Sequence, residues 1–317
     1  SWDYSGKARV GRGAASSMDM TGGTACEASK WKSNSGVECK LSAGVGGGAP
    51  MVQGRGLPVV VTFGLQQGSR TQAWCYDAAV VSSVGGLTNG PSSGCTSATV
   101  AGFSFGSWDY SGKARVGRGA ASSMDMTGGT ACEASKWKSN SGVECKLSAG
   151  VGGGAPMVQG RGLPVVVTFG LQQGSRTQAW CYDAAVVSSV GGLTNGPSSG
   201  CTSATVAGFS FGSWDYSGKA RVGRGAASSM DMTGGTACEA SKWKSNSGVE
   251  CKLSAGVGGG APMVQGRGLP VVVTFGLQQG SRTQAWCYDA AVVSSVGGLT
   301  NGPSSGCTSA TVAGFSF

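Results

Sequence analysis

The chain of 317 residues contains 59 Gly, 40% hydrophobic residues and only 12% charged residues. Its apolar content is too high for a disordered chain, and no apolar run approaches the roughly 20 residues that a membrane-spanning helix requires. The formal net charge is +9, but the basic residues are scattered along the chain. Nucleic-acid binders usually concentrate positive charge in a patch, so neither a specific nucleic-acid partner nor a membrane is expected.

A 106-residue unit occurs three times without a substitution, the third time without its final Gly, so that Ser1 recurs as Ser107 and again as Ser213. Self-similarity at a fixed period decides the architecture, and a period of roughly 100 residues is the size of a domain. The sequence therefore predicts three identical tandem modules, in the repeat frame 1–106, 107–212 and 213–317. The folded frame can be offset from this frame, because the point at which a repeat is first written is arbitrary.

Each copy is rich in Gly, Val, Ser and Thr, which disfavour helices and favour strands and turns. Apolar alternation and turn residues divide the first copy into short strands. In chain order these are the alternating 1–10, the hairpin 25–32 and 36–42, the most apolar run 57–65, the alternating 70–81, and 95–105. Six to eight short strands in about 100 residues predict an all-β module, either a β-sandwich or a small barrel.

Every copy holds four Cys, while the chain contains no His and no CxxC pair. Disulfides are therefore a better interpretation than zinc or thioredoxin-like sites, and they predict a secreted, extracellular protein. Short loops favour Cys26 with Cys39 and Cys75 with Cys95 over the other two pairings, although bridges between copies or between chains stay open. The candidate disulfide residues are Cys26, Cys39, Cys75, Cys95, Cys132, Cys145, Cys181, Cys201, Cys238, Cys251, Cys287 and Cys307.

Four aromatic residues surround the boundary between copies. If the two residues at the boundary form a type II′ turn, Phe105 faces Trp108 across a hairpin that both copies share. Such a junction has no flexible linker and predicts a stiff array, whereas the alternative is a plain turn between two independent domains. The predicted junction residues are Phe103, Phe105, Gly106, Ser107, Trp108 and Tyr110, and then Phe209, Phe211, Gly212, Ser213, Trp214 and Tyr216.

Residues suited to catalysis are few. Without His there is no His-dependent triad and no imidazole metal site, and the Gly-rich segments contain neither a phosphate loop nor a dinucleotide fingerprint. A structural role explains the carboxylates more simply than catalysis does, so we expect no enzyme, no cofactor and no metal. The carboxylates of the first copy are Asp3, Asp19, Glu27, Glu38 and Asp77.

Trp31 stands between two Lys near a predicted hairpin turn, which favours its exposure. An exposed indole can stack on a sugar ring, so Trp31 and its repeats Trp137 and Trp243 are candidate glycan contacts. The alternative is that these rings pack against cross-strand partners.

By its tandem-repeat architecture alone, the chain resembles repetitive extracellular fibre and glue proteins, the broad class that contains silks and mollusc byssal threads. No family motif supports this resemblance and no residue role follows from it. It implies a secreted, self-assembling structural protein that forms a stiff fibre or filament, with neighbouring modules and other copies of the chain as partners. Open strand edges recruit further strands, so head-to-tail pairing between chains is expected. The alternative is a multivalent adhesin or lectin-like protein that binds an anionic glycan or surface.

Overall fold

A computed structural model describes residues 6–11, 23–46, 56–86, 89–117, 129–152, 162–170, 172–192, 195–223, 235–258, 268–276, 278–298, 301–306 and 309–317. These residues form strands, turns and loops, and none of them belongs to a helix, so none is part of a helix that could span a membrane. The all-β prediction is confirmed. Predictions that involve Asp3, Asp19 and Cys307 lie outside the described residues.

The strands recur with the sequence period. Those of the first copy are β1 (Lys7–Val10), β2 (Thr24–Ala25), β3 (Ala28–Ser33), β4 (Gly36–Lys40), β5 (Leu57–Phe63), β6 (Gln66–Trp74), β7 (Val80–Gly85), β8 (Asn89–Gly90) and β9 (Ser97–Phe103). Those of the second copy are β10 (Lys113–Val116), β11 (Thr130–Ala131), β12 (Ala134–Ser139), β13 (Gly142–Lys146), β14 (Leu163–Phe169), β15 (Gln172–Tyr182), β16 (Val186–Gly191), β17 (Asn195–Gly196) and β18 (Ser203–Phe209). Those of the third copy are β19 (Lys219–Val222), β20 (Thr236–Ala237), β21 (Ala240–Ser245), β22 (Gly248–Lys252), β23 (Leu269–Phe275), β24 (Gln278–Tyr288), β25 (Val292–Gly297) and β26 (Thr311–Phe315).

The chain divides into two compact units, one comprising Ser1–Thr88, Gly94–Ser148 and Gln159–Trp180, the other Asn89–Ser93, Ala149–Val158 and Cys181–Phe317. The second unit contains a complete β-sandwich, which we call the second sandwich. One of its sheets has the strand order β16-β18-β22-β21 and the other β17-β24-β23-β19-β20. Alternating apolar residues of both sheets, such as Val206 on β18 and Val273 on β23, form one buried core.

Consecutive copies share the second sandwich. Strand β18 of the second copy pairs antiparallel with β22 of the third, from Ser203 opposite Lys252 to Ala207 opposite Gly248. Strand β17 of the second copy pairs in parallel with the end of β24. The sandwich therefore runs from the end of one copy through most of the next, and its frame is offset from the repeat frame.

The first unit contains the same arrangement 106 residues earlier, which we call the first sandwich. Its sheets have the orders β12-β13-β9-β7 and β11-β10-β14-β15, so β7 and β9 of the first copy lie in one sheet with β12 and β13 of the second. The first unit also contains a partial sandwich, made of the four-stranded sheet β2-β1-β5-β6 and the hairpin β3-β4. Strand β8, which consists of Asn89 and Gly90, pairs in parallel with Cys181 and Tyr182 at the end of β15. These four residues belong to the second unit.

One predicted disulfide of each copy is present, joining Cys26 to Cys39, Cys132 to Cys145, and Cys238 to Cys251. In the second sandwich this bridge ties the two sheets together. The amide of Cys238 donates to Ala220 O at 3.0 Å, on β19, whereas Cys251 lies on β22 of the other sheet. Closing a loop of this length contributes about 3 kcal/mol in the chain-entropy model.

The predicted pairing of Cys75 with Cys95 is wrong, because Cys75 and Cys95 are free thiols, as is Cys201. Cys75 follows β6 of the partial sandwich, whereas the amide of Cys95 donates to Leu147 O, at 2.9 Å, in the first sandwich. A short loop in sequence therefore separates two Cys that belong to different sandwiches. The chain passes from the partial sandwich to the first sandwich between Trp74 and Val80. The predicted strand 70–81 is therefore two strands, β6 and β7, with a break between them.

The remaining described Cys are buried at the ends of long strands. Cys181 and Cys287 are the penultimate residues of β15 and β24, and both are fully buried. Burial, with a smaller contribution from the charge of Asp183 or Asp289, raises the pKa of both thiols. A thiol held in its neutral form is a poor nucleophile, so these residues are packing elements of the sheet.

Candidate assembly groove

In the second sandwich, the segment that follows β18 docks onto the turn between β21 and β22. The amide of Phe211 donates to the carbonyl oxygen of Asn246 at 2.9 Å, and the amide of Gly212 donates to the Asn246 side-chain Oδ1 at 2.8 Å. The Phe211 ring stacks on Phe275, with centroids 5.3 Å apart and both side chains fully buried. This aromatic pair closes one end of the core.

The first sandwich repeats this docking with Phe105, whose amide donates to Asn140 O at 2.9 Å. The Phe105 ring stacks on Phe169 with the same centroid distance, 5.3 Å. The docking therefore follows from the local sequence of the donor segment and of the turn that receives it.

The predicted junction hairpin is wrong. No strand lies between Phe103 and Lys113, and Trp108 is 70% exposed instead of facing the buried Phe105. Ser104 has φ 61°, which breaks strand alternation, so that Phe103 turns to solvent and is 63% exposed while Phe105 enters the core. The second junction behaves identically: Phe209 and Trp214 are exposed, Phe211 is buried, and Ser210 has φ 61°.

Among the remaining junction residues, Gly106 and Tyr110 contact the preceding sandwich at Ala43 and Val45. We call this contact, and its repeat 106 residues later, the seam. In the first unit, Gly106 has φ 89°, and the Tyr110 ring lies so close to it that an added Cβ would meet the ring at 2.5 Å. The Tyr110 hydroxyl donates to Ala43 O of the partial sandwich at 3.5 Å. Gly212 and Tyr216 repeat this approach in the second unit, whereas Ser107 and Ser213 lie in the bends before the Trp residues.

A buried glutamine holds each seam. Gln278, at the start of β24, donates from its side-chain amide to Tyr182 O at 2.7 Å and to Gly152 O at 3.2 Å. Gln172 makes the same two hydrogen bonds in the first unit, to Tyr76 O at 2.8 Å and to Gly46 O at 3.1 Å. No sequence pattern predicts these residues, because a Gln that follows a turn cannot be distinguished in sequence from a solvated loop residue.

Beside the second seam Tyr182 is buried and Tyr216 is half-buried. Burial, with a smaller contribution from Tyr216, raises the pKa of Tyr182 to about 12. Burial likewise raises the pKa of Tyr216. The seam is therefore partly shielded from water, which favours the neutral form of these tyrosine hydroxyl groups.

The partial sandwich contains the same groove without a docked segment among the described residues. This open groove has a volume of about 850 Å³. It is lined by Trp31, Ser33, Asn34, Ser35, Gly36, Val37, Val61, Phe63, Gly64, Leu65 and Gln66. Phe63 corresponds to the buried Phe169 and Phe275, but it is only half-buried.

The hairpin β25-β26 has a core-facing side that no second sheet covers among the described residues. Phe317 is 64% exposed, whereas its repeats Phe105 and Phe211 are fully buried. Val312 is 50% exposed, whereas its repeat Val206 is 1% exposed. A groove and the segment that fills such a groove thus occur at different places in one chain, both open.

The candidate glycan contacts are not equivalent. Trp31 is 41% exposed and lines the open groove, whereas Trp137 and Trp243 are half-buried. Trp243 packs against the core of the second sandwich and lies opposite Val249 in the strand ladder. The described Trp repeats thus fit cross-strand packing where the sandwich is complete.

Several of the described carboxylates have structural partners. Glu38 pairs with Lys32 across the β3-β4 hairpin, and this hydrogen-bonded ion pair lowers the pKa of the Glu38 carboxyl. Glu27 forms a second exposed pair with Lys40 at 2.6 Å. Asp183, the repeat of Asp77, accepts a hydrogen bond from the Asn89 side chain. Among the described residues no group of three Cys, Asp or Glu side chains lies close enough together to hold a metal ion.

No protein-family model and no curated protein matches the chain. Among solved structures, similarity is found to a protein crystallised with a xylogluco-oligosaccharide and to the full extracellular region of plexin A4, each at 11% identity and a TM-score of 0.29. The alignments cover 79% of this chain and 49% of the first protein, and 93% of this chain and 27% of the second. The chain thus spans about half the length of the first and about a quarter of the second.

Proposed function

We propose that the protein is a structural protein that forms a stiff extracellular fibre or filament from identical modules. The observation that carries this proposal is strand sharing, because each complete sandwich takes strands from two consecutive copies. No linker then separates one module from the next. Only three residues, Asp183 to Ala185, separate β15 from β16.

The seam supports the same function. A buried Gln donates to two carbonyl groups of the preceding module, and both carbonyls would lose a partner if the modules swivelled apart. An array with such contacts resists bending, whereas flexible spacing requires Gly/Ser tracts between domains. The loop-closing disulfides support secretion into an oxidising compartment.

Electron microscopy of single chains at low protein concentration tests stiffness directly. We expect straight particles with a narrow distribution of bend angles. Inserting eight Gly/Ser residues after Ala184 should broaden that distribution, whereas the same insertion after Ser198, in a turn within the second sandwich, should not. Equally broad distributions for the unmodified chain and both insertions would contradict the proposal.

One observation favours a multivalent adhesin as the second candidate. Trp108 and Trp214 expose 70% and 69% of their surface and recur at the repeat spacing. Evenly spaced exposed indoles on a chain of net charge +9 suit an extended anionic glycan. Retention on an immobilised anionic polysaccharide that is lost in a Trp108→Ala/Trp214→Ala variant would support this function over the fibre.

A further inference from the structure

We infer that the open groove binds the terminal hairpin, β25-β26 with Phe317, of a second copy of this chain, so that copies join head to tail by strand addition. The inference rests on the proposed function and names the contact through which its fibre would grow. The occupant follows from the chain itself. The equivalent grooves of the first and second sandwiches have the same sequence, and each is filled by a segment identical in sequence to the terminal hairpin.

The open groove has the residues that receive a donor segment elsewhere. Asn34 and Ser35 correspond to Asn246 and Ser247, whose carbonyl groups accept from Phe211 and Gly208 at 2.9 Å in the second sandwich. The receiving strand β4 has the sequence of β22 and pairs only with β3 among the described residues. Its other edge is therefore available to a strand.

The hairpin has the residues that fill a groove. On its core-facing side Val293, Val312 and Phe317 are 57%, 50% and 64% exposed. The repeats of these residues in the second sandwich, Val187, Val206 and Phe211, are 5%, 1% and 0% exposed. The sequences are identical, but β18 also pairs with β22, whereas β26 pairs only with β25 among the described residues.

The filled grooves predict the register of the new contact. The β18-β22 ladder pairs Ser203 with Lys252 and Ala207 with Gly248. Translated by the repeat, Ser309 of one copy lies opposite Lys40 of the next, Val312 opposite Val37, and Ala313 opposite Gly36. The Phe317 ring then stacks on Phe63, as Phe211 stacks on Phe275.

The same translation regenerates the seam between chains. Gln66, exposed in the partial sandwich, corresponds to Gln278 and reaches the carbonyl groups of Gly258 and Tyr288 of the second copy. Arg70 corresponds to Arg282, which donates to Ser188 O, and so it faces Ser294. The proposed seam between two chains therefore has the same contacts as the seam between consecutive modules of one chain.

Sedimentation velocity over a concentration series tests the inference with a matched pair of variants. Phe315 and Phe317 are similarly exposed in the hairpin, at 69% and 64%. Only Phe317 has buried repeats, because Phe103 and Phe209 stay 63% exposed in the complete sandwiches. We expect linear oligomers that grow with concentration, self-association weakened about a hundredfold by Phe317→Ala, and no change with Phe315→Ala.

Hydrogen exchange locates the contact. Amides of Gly36–Lys40 and Thr311–Phe315 should gain protection as concentration rises, while those of the filled counterparts Gly248–Lys252 and Ser203–Phe209 stay constant. A chain that remains monomeric, equal effects of the two Phe variants, or protection of Gly36–Lys40 that is independent of concentration, as in closure of a chain on its own groove, would each overturn the inference.

These results separate the inference from the proposed function. A monomer that is still straight in micrographs overturns groove binding and leaves the stiff array intact. A flexible chain whose oligomers depend on Phe317 overturns stiffness and leaves groove binding intact.

Discussion

The second sandwich and the terminal hairpin contain the same strand sequence in two environments. Val206 and Phe211 are almost completely buried, whereas Val312 and Phe317, 106 residues later, are at least half exposed. The alternation of apolar residues is identical in both places, and both segments pair antiparallel with an earlier strand of their own copy, β18 with β16 and β26 with β25. Local sequence is therefore sufficient for the hairpin, but a core forms only where the strands of the next copy are present.

The largest difference in stability between these two regions is expected when the equivalent rings of Phe211 and Phe317 are removed. Phe211→Ala leaves a cavity beside Phe275 and should lower the free energy of unfolding of the second sandwich by about 3–5 kcal/mol. Phe317→Ala, the same substitution in the hairpin, should change it by less than about 0.5 kcal/mol. Urea denaturation, followed by Trp fluorescence at a concentration where the chain is monomeric, measures both. Equal losses would show that the hairpin is already packed.

A second difference concerns the disulfides of the complete and partial sandwiches. Cys251 is 1% exposed, whereas its repeat Cys39 is half-buried. Access controls thiol exchange, so limited reduction of the monomer should open the bridge of Cys26 and Cys39 first. Opening the bridge of Cys238 and Cys251 should then lower the free energy of unfolding of the second sandwich by about 3 kcal/mol. Alkylation and peptide mapping give the order, and simultaneous reduction of all three bridges would contradict it.

The smallest effect is expected at the seam. Gln278→Ala leaves the carbonyl groups of Gly152 and Tyr182 without this donor and should destabilise the second sandwich by about 1–3 kcal/mol. Gln66→Ala is the matched control at a concentration where the chain is monomeric, because Gln66 is then exposed, and it should change the free energy of unfolding by less than about 0.5 kcal/mol. Thermal unfolding of both variants provides the measurement. Unchanged thermal stability of Gln278→Ala would show that the hydrogen bonds of Gln278 do not hold the seam.

Short-range features could be predicted well. The β3-β4 hairpin follows from alternating residues on either side of a polar turn, and the disulfide of Cys26 and Cys39 closes the same short segment. The apolar run at Leu57–Phe63 is a strand in every copy. These elements need only contacts between residues that are close in sequence, so composition and spacing contain the necessary information.

The errors have one physical origin. The aromatic cluster around Gly106 predicts the passage between modules at that point, whereas the chain passes from one sandwich to the next between Trp74 and Val80. This passage separates Cys75 from Cys95 and divides the predicted strand at 70–81. In a perfect repeat every frame is equivalent in sequence, and only packing distinguishes one from another.

Local propensity and counting establish the period, the all-β character and the β3-β4 hairpin, and the short loop favours its disulfide. Long-range packing establishes which strands belong to one sandwich, that Phe105 is buried while Phe103 is exposed, and that Gln172 and Gln278 hold the seams. These outcomes depend on partners about 35 to 130 residues away, such as Asn140 for Phe105 and Gly152 for Gln278. Burial is a property of the assembled contact, and no local pattern in this chain distinguishes Phe211 from Phe317.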